Sequence, residues 1–111
     1  MRRMSNLAFN QEFPSLSGMA GLKAESPVVL KRDRKNPFDT EAVGVFLDPA
    51  EQDSWPTGAC AVPLGWLYRK DTNRPAVLQA LDQGKVLHGR IVLRPESVNR
   101  RERQKAILFW L

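Results

Sequence analysis

Short apolar runs separated by turn residues mark most of the chain. Residues 42–47 are apolar throughout, with β-branched side chains at alternate positions, and residues 28–31 follow Pro27. Both runs are typical of buried strands, and proline is tolerated at a strand start. Further short strands are predicted over residues 59–62, 64–68, 86–93 and 106–111, and a helix is the alternative for residues 106–111.

One segment carries helix signals instead. Thr72 or Asn73 is expected to cap the helix, Pro75 falls in its first turn, and Gly84 stands just past its end. The apolar residues between them lie on one side of the helix. Residues 48–58 and 95–105 are predicted to be polar connections.

Several short strands with one clear helix predict a mainly-β domain of the α+β type, with one or two short helices. A small SH3-like or OB-like β-barrel, partly closed and covered at one end by the helix, would leave few exposed strand edges. A chain of 111 residues has room for one such domain. Residues 1–20 mix polar residues with isolated aromatics and predict a poorly ordered tail, which leaves residues 21–111 for the barrel.

Charge and cysteine content indicate the class of binding partner and the cellular compartment. The net charge is +5, which favours an anionic partner. Nucleic acid fits better than a membrane surface, because no strongly basic amphipathic helix and no apolar span is present. Cys60 is the single cysteine and excludes an internal disulfide. A reducing, cytoplasmic location is therefore expected.

A cationic segment leads into a turn that holds a ring beside a carboxylate. The cations are Lys31, Arg32, Arg34 and Lys35. After the Asn36-Pro37 turn come Phe38 and Asp39. Cations, an exposed ring and a hydrogen-bond acceptor are the parts that can hold a nucleic-acid strand by phosphates, a base and a sugar hydroxyl. The alternative is that Phe38 fills the core, Asp39 caps its own backbone and the cations are solvated.

Several motifs together resemble the HIRAN domain family over roughly residues 27–93. They are Val28-Val29-Leu30, Arg32-Asp33, Asn36-Pro37-Phe38-Asp39, Ala42-Val43, Leu64-Gly65-Trp66-Leu67-Tyr68-Arg69, and a helix ending in Leu81-Asp82-Gln83-Gly84. The family fold is a small β-barrel with attached helices. Members occur at the front of Swi/Snf-type DNA translocases and as short free-standing bacterial and phage proteins.

The resemblance implies a module that binds the free 3′ end of single-stranded DNA in a repair, replication or mobile-element setting. Phe38 would stack on the terminal base, Asp39 would accept a hydrogen bond from the 3′ hydroxyl, and Arg69 would lie by a phosphate. The expected nucleic-acid-binding residues are Lys31, Arg32, Asn36, Phe38, Asp39, Trp66 and Arg69. Trp66 has two interpretations, as a pocket wall or as a core residue.

Other functions remain as alternatives. Small barrels can bind peptides through aromatics such as Trp55 and Trp66, which makes a peptide-binding adaptor the second hypothesis. No catalytic constellation and no phosphate-binding glycine loop is present, so no enzyme activity, no cofactor and no metal is expected. Single-stranded DNA is the expected partner, and a separately encoded helicase or ATPase is considered as a second one. The oligomeric state is left open.

Overall fold

The computed structural model describes residues 1–9, 26–55, 58–93 and 105–111. Six antiparallel strands close into a barrel in the order β1-β4-β3-β2-β5-β6. They are β1 (Arg2–Phe9), β2 (Pro27–Arg32), β3 (Val43–Leu47), β4 (Gly65–Leu67), β5 (Leu87–Leu93) and β6 (Lys105–Trp110). The described part also holds one α-helix, α1 (Arg74–Asp82), and two short 3-10 helices, Pro49–Ser54 and Ala59–Ala61. The prediction of a small, mainly-β barrel is confirmed.

The interior of the barrel is built from alternate residues of paired strands. Val28 pairs with Leu47 and Leu30 with Val45, and all four belong to the buried core. Phe46 points to the outside of β3 and is still only 7% exposed. Both faces of β3 are therefore covered, which explains its unbroken apolar sequence.

Helix α1 packs on the barrel through Val77 and Ala80, which belong to the same core. Gly84 follows the helix with φ of 79°, as expected for a residue that reverses the chain there. Asn73 is the N-cap residue, but its side chain does not cap the helix. It donates to the backbone carbonyl of Met4 at 3.0 Å and to Oγ of Ser5 at 2.9 Å, so it ties α1 to β1.

The prediction of a poorly ordered tail is wrong for residues 2–9, which form β1. This strand pairs with β6 along residues 2–6 and with β4 along residues 7–9. Among the described side chains of residues 2–8, Leu7 is the one apolar side chain in the core, and the buried Ser5 donates to Asp71 at 3.0 Å. A strand held by backbone pairing and a buried hydroxyl lacks the alternation that reveals strands in a sequence. Residues 10–20 of the predicted tail lie outside the described residues.

Two local predictions also need correction. The strand predicted over residues 59–62 is a 3-10 turn, Ala59–Ala61. The predicted loop after Leu47 contains a second 3-10 helix, Pro49–Ser54, whose first turn is capped when Asp48 Oδ1 accepts from the Ala50 N–H at 2.9 Å. The polar link predicted over residues 95–105 lies almost entirely outside the described residues.

Candidate nucleic-acid interface

The connection between β2 and β3, here called the Phe38 loop (residues 33–42), is closed by its own hydrogen bonds. The Asp33 N–H donates to the Ala42 carbonyl at 2.9 Å, and the Ala42 N–H donates to the Asp39 carbonyl at 3.2 Å. Asn36 Oδ1 accepts from the Phe38 N–H at 2.9 Å. Side chains that accept from the backbone two residues on are typical of Asx turns, and they fix the backbone on both sides of Phe38.

The Phe38 side chain itself stands in solvent, 83% exposed. The interpretation in which this ring fills the core is therefore wrong. The backbone of the loop is held by hydrogen bonds while the ring contacts little of the protein. A ring presented in this way is available to a flat partner such as a base.

Asp39 connects the loop to two arginines. Its Oδ2 lies 2.7 Å from Nη2 of Arg74 and 3.4 Å from Nε of Arg69. Its Oδ1 accepts from the Glu41 N–H at 3.0 Å, which is the backbone cap that the alternative interpretation of Asp39 describes. Arg69 also donates to the carbonyl of Phe38. The Phe38 backbone and the Asp39 carboxylate thus adjoin the same exposed guanidinium.

The surroundings of Asp39 lower its pKa. Burial raises the pKa of this carboxyl, but the hydrogen bond from the Glu41 N–H and the charges of Arg74 and Arg69 outweigh it. Hydrogen bonds to a carboxylate and nearby cations both favour its ionised form. Asp39 is therefore a carboxylate at neutral pH and can accept hydrogen bonds.

Trp66 lies on the outer face of β4, half-buried, and is not part of the buried core. Its Nε1 donates to Oδ2 of Asp33 at 2.7 Å, which places the indole against the base of the Phe38 loop. Gly44 is its partner on β3. A Cβ at Gly44 would stand 2.7 Å from the Phe46 ring and 3.4 Å from the Cβ of Asp33, so the absence of a side chain keeps this part of the outer face compact.

The two cations of β2 point to opposite sides of the sheet. The Lys31 side chain is exposed and its Nζ lies 4.9 Å from the centroid of the Phe46 ring. Arg32 pairs with Asp82 of α1 at 2.9 Å, and its side chain is 18% exposed. The grouping of Arg32 with the solvent-facing cations therefore needs correction, because this guanidinium holds the helix to the barrel.

Sequence analysis did not identify Arg74 as a site residue. In the structure it adjoins the Phe38 loop and is 8% exposed. It donates to Asp39 and to the carbonyl of Glu41 at 2.6 Å. One signal was available: a cation in the first turn of a helix is disfavoured by the helix dipole, so it needs another partner.

The remaining sequence candidates do not converge on a site. Within the described ranges no group of three or more His, Cys, Asp or Glu side chains could hold a metal. Asp48 Oδ2 lies 3.7 Å from Nδ1 of His88, and the Asp48 carbonyl lies 3.8 Å from Sγ of Cys60. None of the helices described is long and apolar enough to cross a membrane.

Comparison with known proteins finds a similarity in fold. A crystal structure of a protein from Lactobacillus plantarum, determined by the northeast structural genomics consortium, is similar to this chain with a TM-score of 0.53. The two are 17% identical over 98% of this chain and 96% of that chain, a level at which the likeness concerns the fold alone. No protein-family model matches the chain. No curated protein matches it at a significant level.

Proposed function

We propose that this barrel is a non-catalytic module that binds single-stranded DNA through the Phe38 loop. The observation that carries the proposal is the Phe38 ring, 83% exposed on a loop closed by hydrogen bonds. An exposed aromatic ring on a loop with a fixed backbone is a surface on which a base can stack. The resemblance of the loop sequence to HIRAN domains adds the class of partner.

The charge of Arg69, which contacts the Phe38 backbone, supports a polynucleotide as that partner. The Arg69 side chain is 66% exposed and adjoins both Phe38 and Asp39. Because a guanidinium has five N–H donors, Arg69 can hold Asp39 and still bind a phosphate. Stacking of one base contributes about 1–3 kcal/mol, so phosphate contacts are needed for useful affinity.

The Asp39 carboxylate gives the module a preference for a free 3′ end. A carboxylate offers about four acceptor sites, and the groups placed on Asp39 are Glu41 N–H, Arg74 and Arg69. One site remains for a hydroxyl donor. A terminal 3′ hydroxyl can fill it, whereas a 3′ phosphate has no comparable donor and brings negative charge to the carboxylate.

A role in DNA repair, replication or mobile-element biology, alongside a separately encoded helicase or ATPase, follows from the same resemblance. The peptide-binding alternative has less support. Trp55 is partly buried against the core, and Trp66 donates its N–H to Asp33. Both indoles are half-buried, so neither is as accessible to a partner as the Phe38 ring.

Fluorescence anisotropy with a 5′-labelled oligothymidine that has a 3′ hydroxyl tests the proposal. Phe38→Ala should weaken binding by roughly 5- to 150-fold, the equivalent of losing one stacked base. Phe38→Tyr is the matched control, because it keeps the flat ring, and should bind within about twofold of the wild type. Failure of the wild type to bind at low salt, or equal affinity of Phe38→Ala, would overturn the proposal.

A further inference from the structure

A groove of about 480 Å³ lies on the barrel beside the Phe38 loop, between β2, β5 and the residues that follow α1. Val29, Leu81 and Val86 contribute apolar surface to it. Its basic side chains come from both walls, with Lys31 and Arg34 at the β2 end and Lys85 after the helix. The volume falls in the range of small-molecule sites, and the mixture of apolar and basic lining is typical of a binding surface.

The acids in this groove are already engaged by the protein. Asp82 pairs with Arg32 at 2.9 Å. Asp48 accepts from the Ala50 N–H at 2.9 Å, and His88 lies 3.7 Å away. These two carboxylates therefore do not neutralise the remaining cations of the groove.

Three cations are left for a partner. Lys31, Arg34 and Lys85 are exposed, and among the described residues no carboxylate lies within ion-pair distance of them. The Lys31 ammonium is placed over the ring of Phe46, which restricts where its charge can lie. Charge complementarity therefore calls for an anionic occupant.

The groove and the Phe38 loop share a wall, because Arg34 belongs to both. A strand whose last base covers Phe38 can continue past Arg34 into the groove. We propose that the groove holds the phosphodiester backbone of the nucleotides preceding the terminal one, with phosphates on Lys31, Arg34 and Lys85. This inference rests on the proposed function and adds the path of the strand and its length.

Oligonucleotides of two lengths distinguish binding in the groove from binding at the Phe38 loop. The probes are oligothymidines of two and ten nucleotides, each with a 3′ hydroxyl and a 5′ label on an uncharged linker, titrated at several salt concentrations. The two-mer has one phosphodiester, which belongs to the terminal nucleotide, and therefore has no phosphate for the groove. The wild type should bind the longer strand more tightly. The double variant Lys31→Ala/Lys85→Ala should lose on the order of tenfold in affinity for the ten-mer, and its salt slope should be shallower by about 1.4, because two phosphate contacts are gone. Its affinity for the two-mer should stay within about twofold.

The control is Arg2→Ala/Arg3→Ala, which removes the same charge from β1, a strand that does not neighbour β2 in the barrel. It should leave both probes unaffected. Equal losses in the two double variants, or equal losses for both probes, would overturn the groove as a specific path. A wild type that binds both lengths equally would overturn the groove alone. A wild type that binds neither would overturn the proposed function and, with it, the groove.

Discussion

Nη2 of Arg74 lies 2.7 Å from Oδ2 of Asp39 and thereby ties the first turn of α1 to the loop that carries Phe38. The Arg74 side chain is 9% exposed and the Asp39 side chain 20%. The same guanidinium donates to the Glu41 carbonyl. Arg74 is therefore a positioning residue, since it fixes the loop without being open to a ligand.

Arg74→Met should destabilise the fold, because it leaves a partly buried carboxylate and a backbone carbonyl short of a donor. We expect the free energy of unfolding in urea to fall by about 2–4 kcal/mol. Arg69→Met is the matched control, since its side chain is 66% exposed, and it should cost less than about 1 kcal/mol. Equal losses in the two variants would contradict the structural role given to Arg74.

The lowered pKa of Asp39 predicts how stability depends on pH. The folded state binds the Asp39 proton more weakly than the unfolded state, in which the pKa is about 3.9. The stabilisation is therefore fully present above that value and is lost as the pH falls through the lower, folded pKa. Asp39→Asn removes this titration.

Asp39→Asn should be less stable than the wild type at pH 7, and the difference should shrink as the pH falls below about 4. Chemical unfolding at a series of pH values measures it. Asp53→Asn, in an exposed position, is the control and should follow the wild-type profile. A difference between Asp39→Asn and wild type that stays constant down to pH 2 would show that the carboxylate charge is not the cause.

The place of β1 in the barrel predicts a severe effect at Gly65. A Cβ there would stand 2.3 Å from the carbonyl oxygen of Ala8, a backbone atom of β1. Gly65→Ala should cost about 1–3 kcal/mol or more, because two paired strands must separate. At Gly44 the nearest atoms to the added Cβ belong to the Phe46 side chain and not to the backbone, so Gly44→Ala should cost less. Urea unfolding compares the two, and equal costs would contradict the tight β1–β4 contact.

The acceptor role of Asp39 predicts discrimination between strand ends. An oligothymidine with a 3′ hydroxyl should bind several-fold more tightly than the same strand with a 3′ phosphate, at one fixed salt concentration. In Asp39→Asn the preference should disappear. Equal wild-type affinities for the two ends would remove the end preference while leaving single-strand binding through Phe38 intact.

The strands that sequence analysis identified correctly are those with buried apolar residues on both faces or in alternation. β3 and the core residues of β2 are examples, because their apolar side chains directly indicate that they are buried. Sequence analysis missed β1 because, among its described side chains, Leu7 alone is an apolar core residue, and the rest of its contribution is backbone pairing and one buried serine. Ala59–Ala61 was mistaken for a strand because its small residues suit a compact turn equally well.

The site was recoverable where the signal is local. The Asn36 and Asp39 side chains accept from the backbone two residues ahead, which turn chemistry predicts. Arg74 was not recoverable in the same way, because it lies 35 residues from Asp39 in the sequence and only the closed barrel brings them together. Lys31 is exposed and Arg32 is paired with α1 because α1 covers one side of the sheet. This difference depends on tertiary structure and cannot be inferred from the local sequence.

The most direct test of single-strand binding at the Phe38 loop is amide chemical-shift mapping of the ¹⁵N-labelled protein with an oligothymidine that has a 3′ hydroxyl. If the strand binds at the Phe38 loop, the largest shifts fall on residues 36–41 and on Arg69, and they diminish in Phe38→Ala. Shifts confined to the opposite part of the barrel, around Trp110 on β6, or no shifts at all at low salt, would contradict binding there.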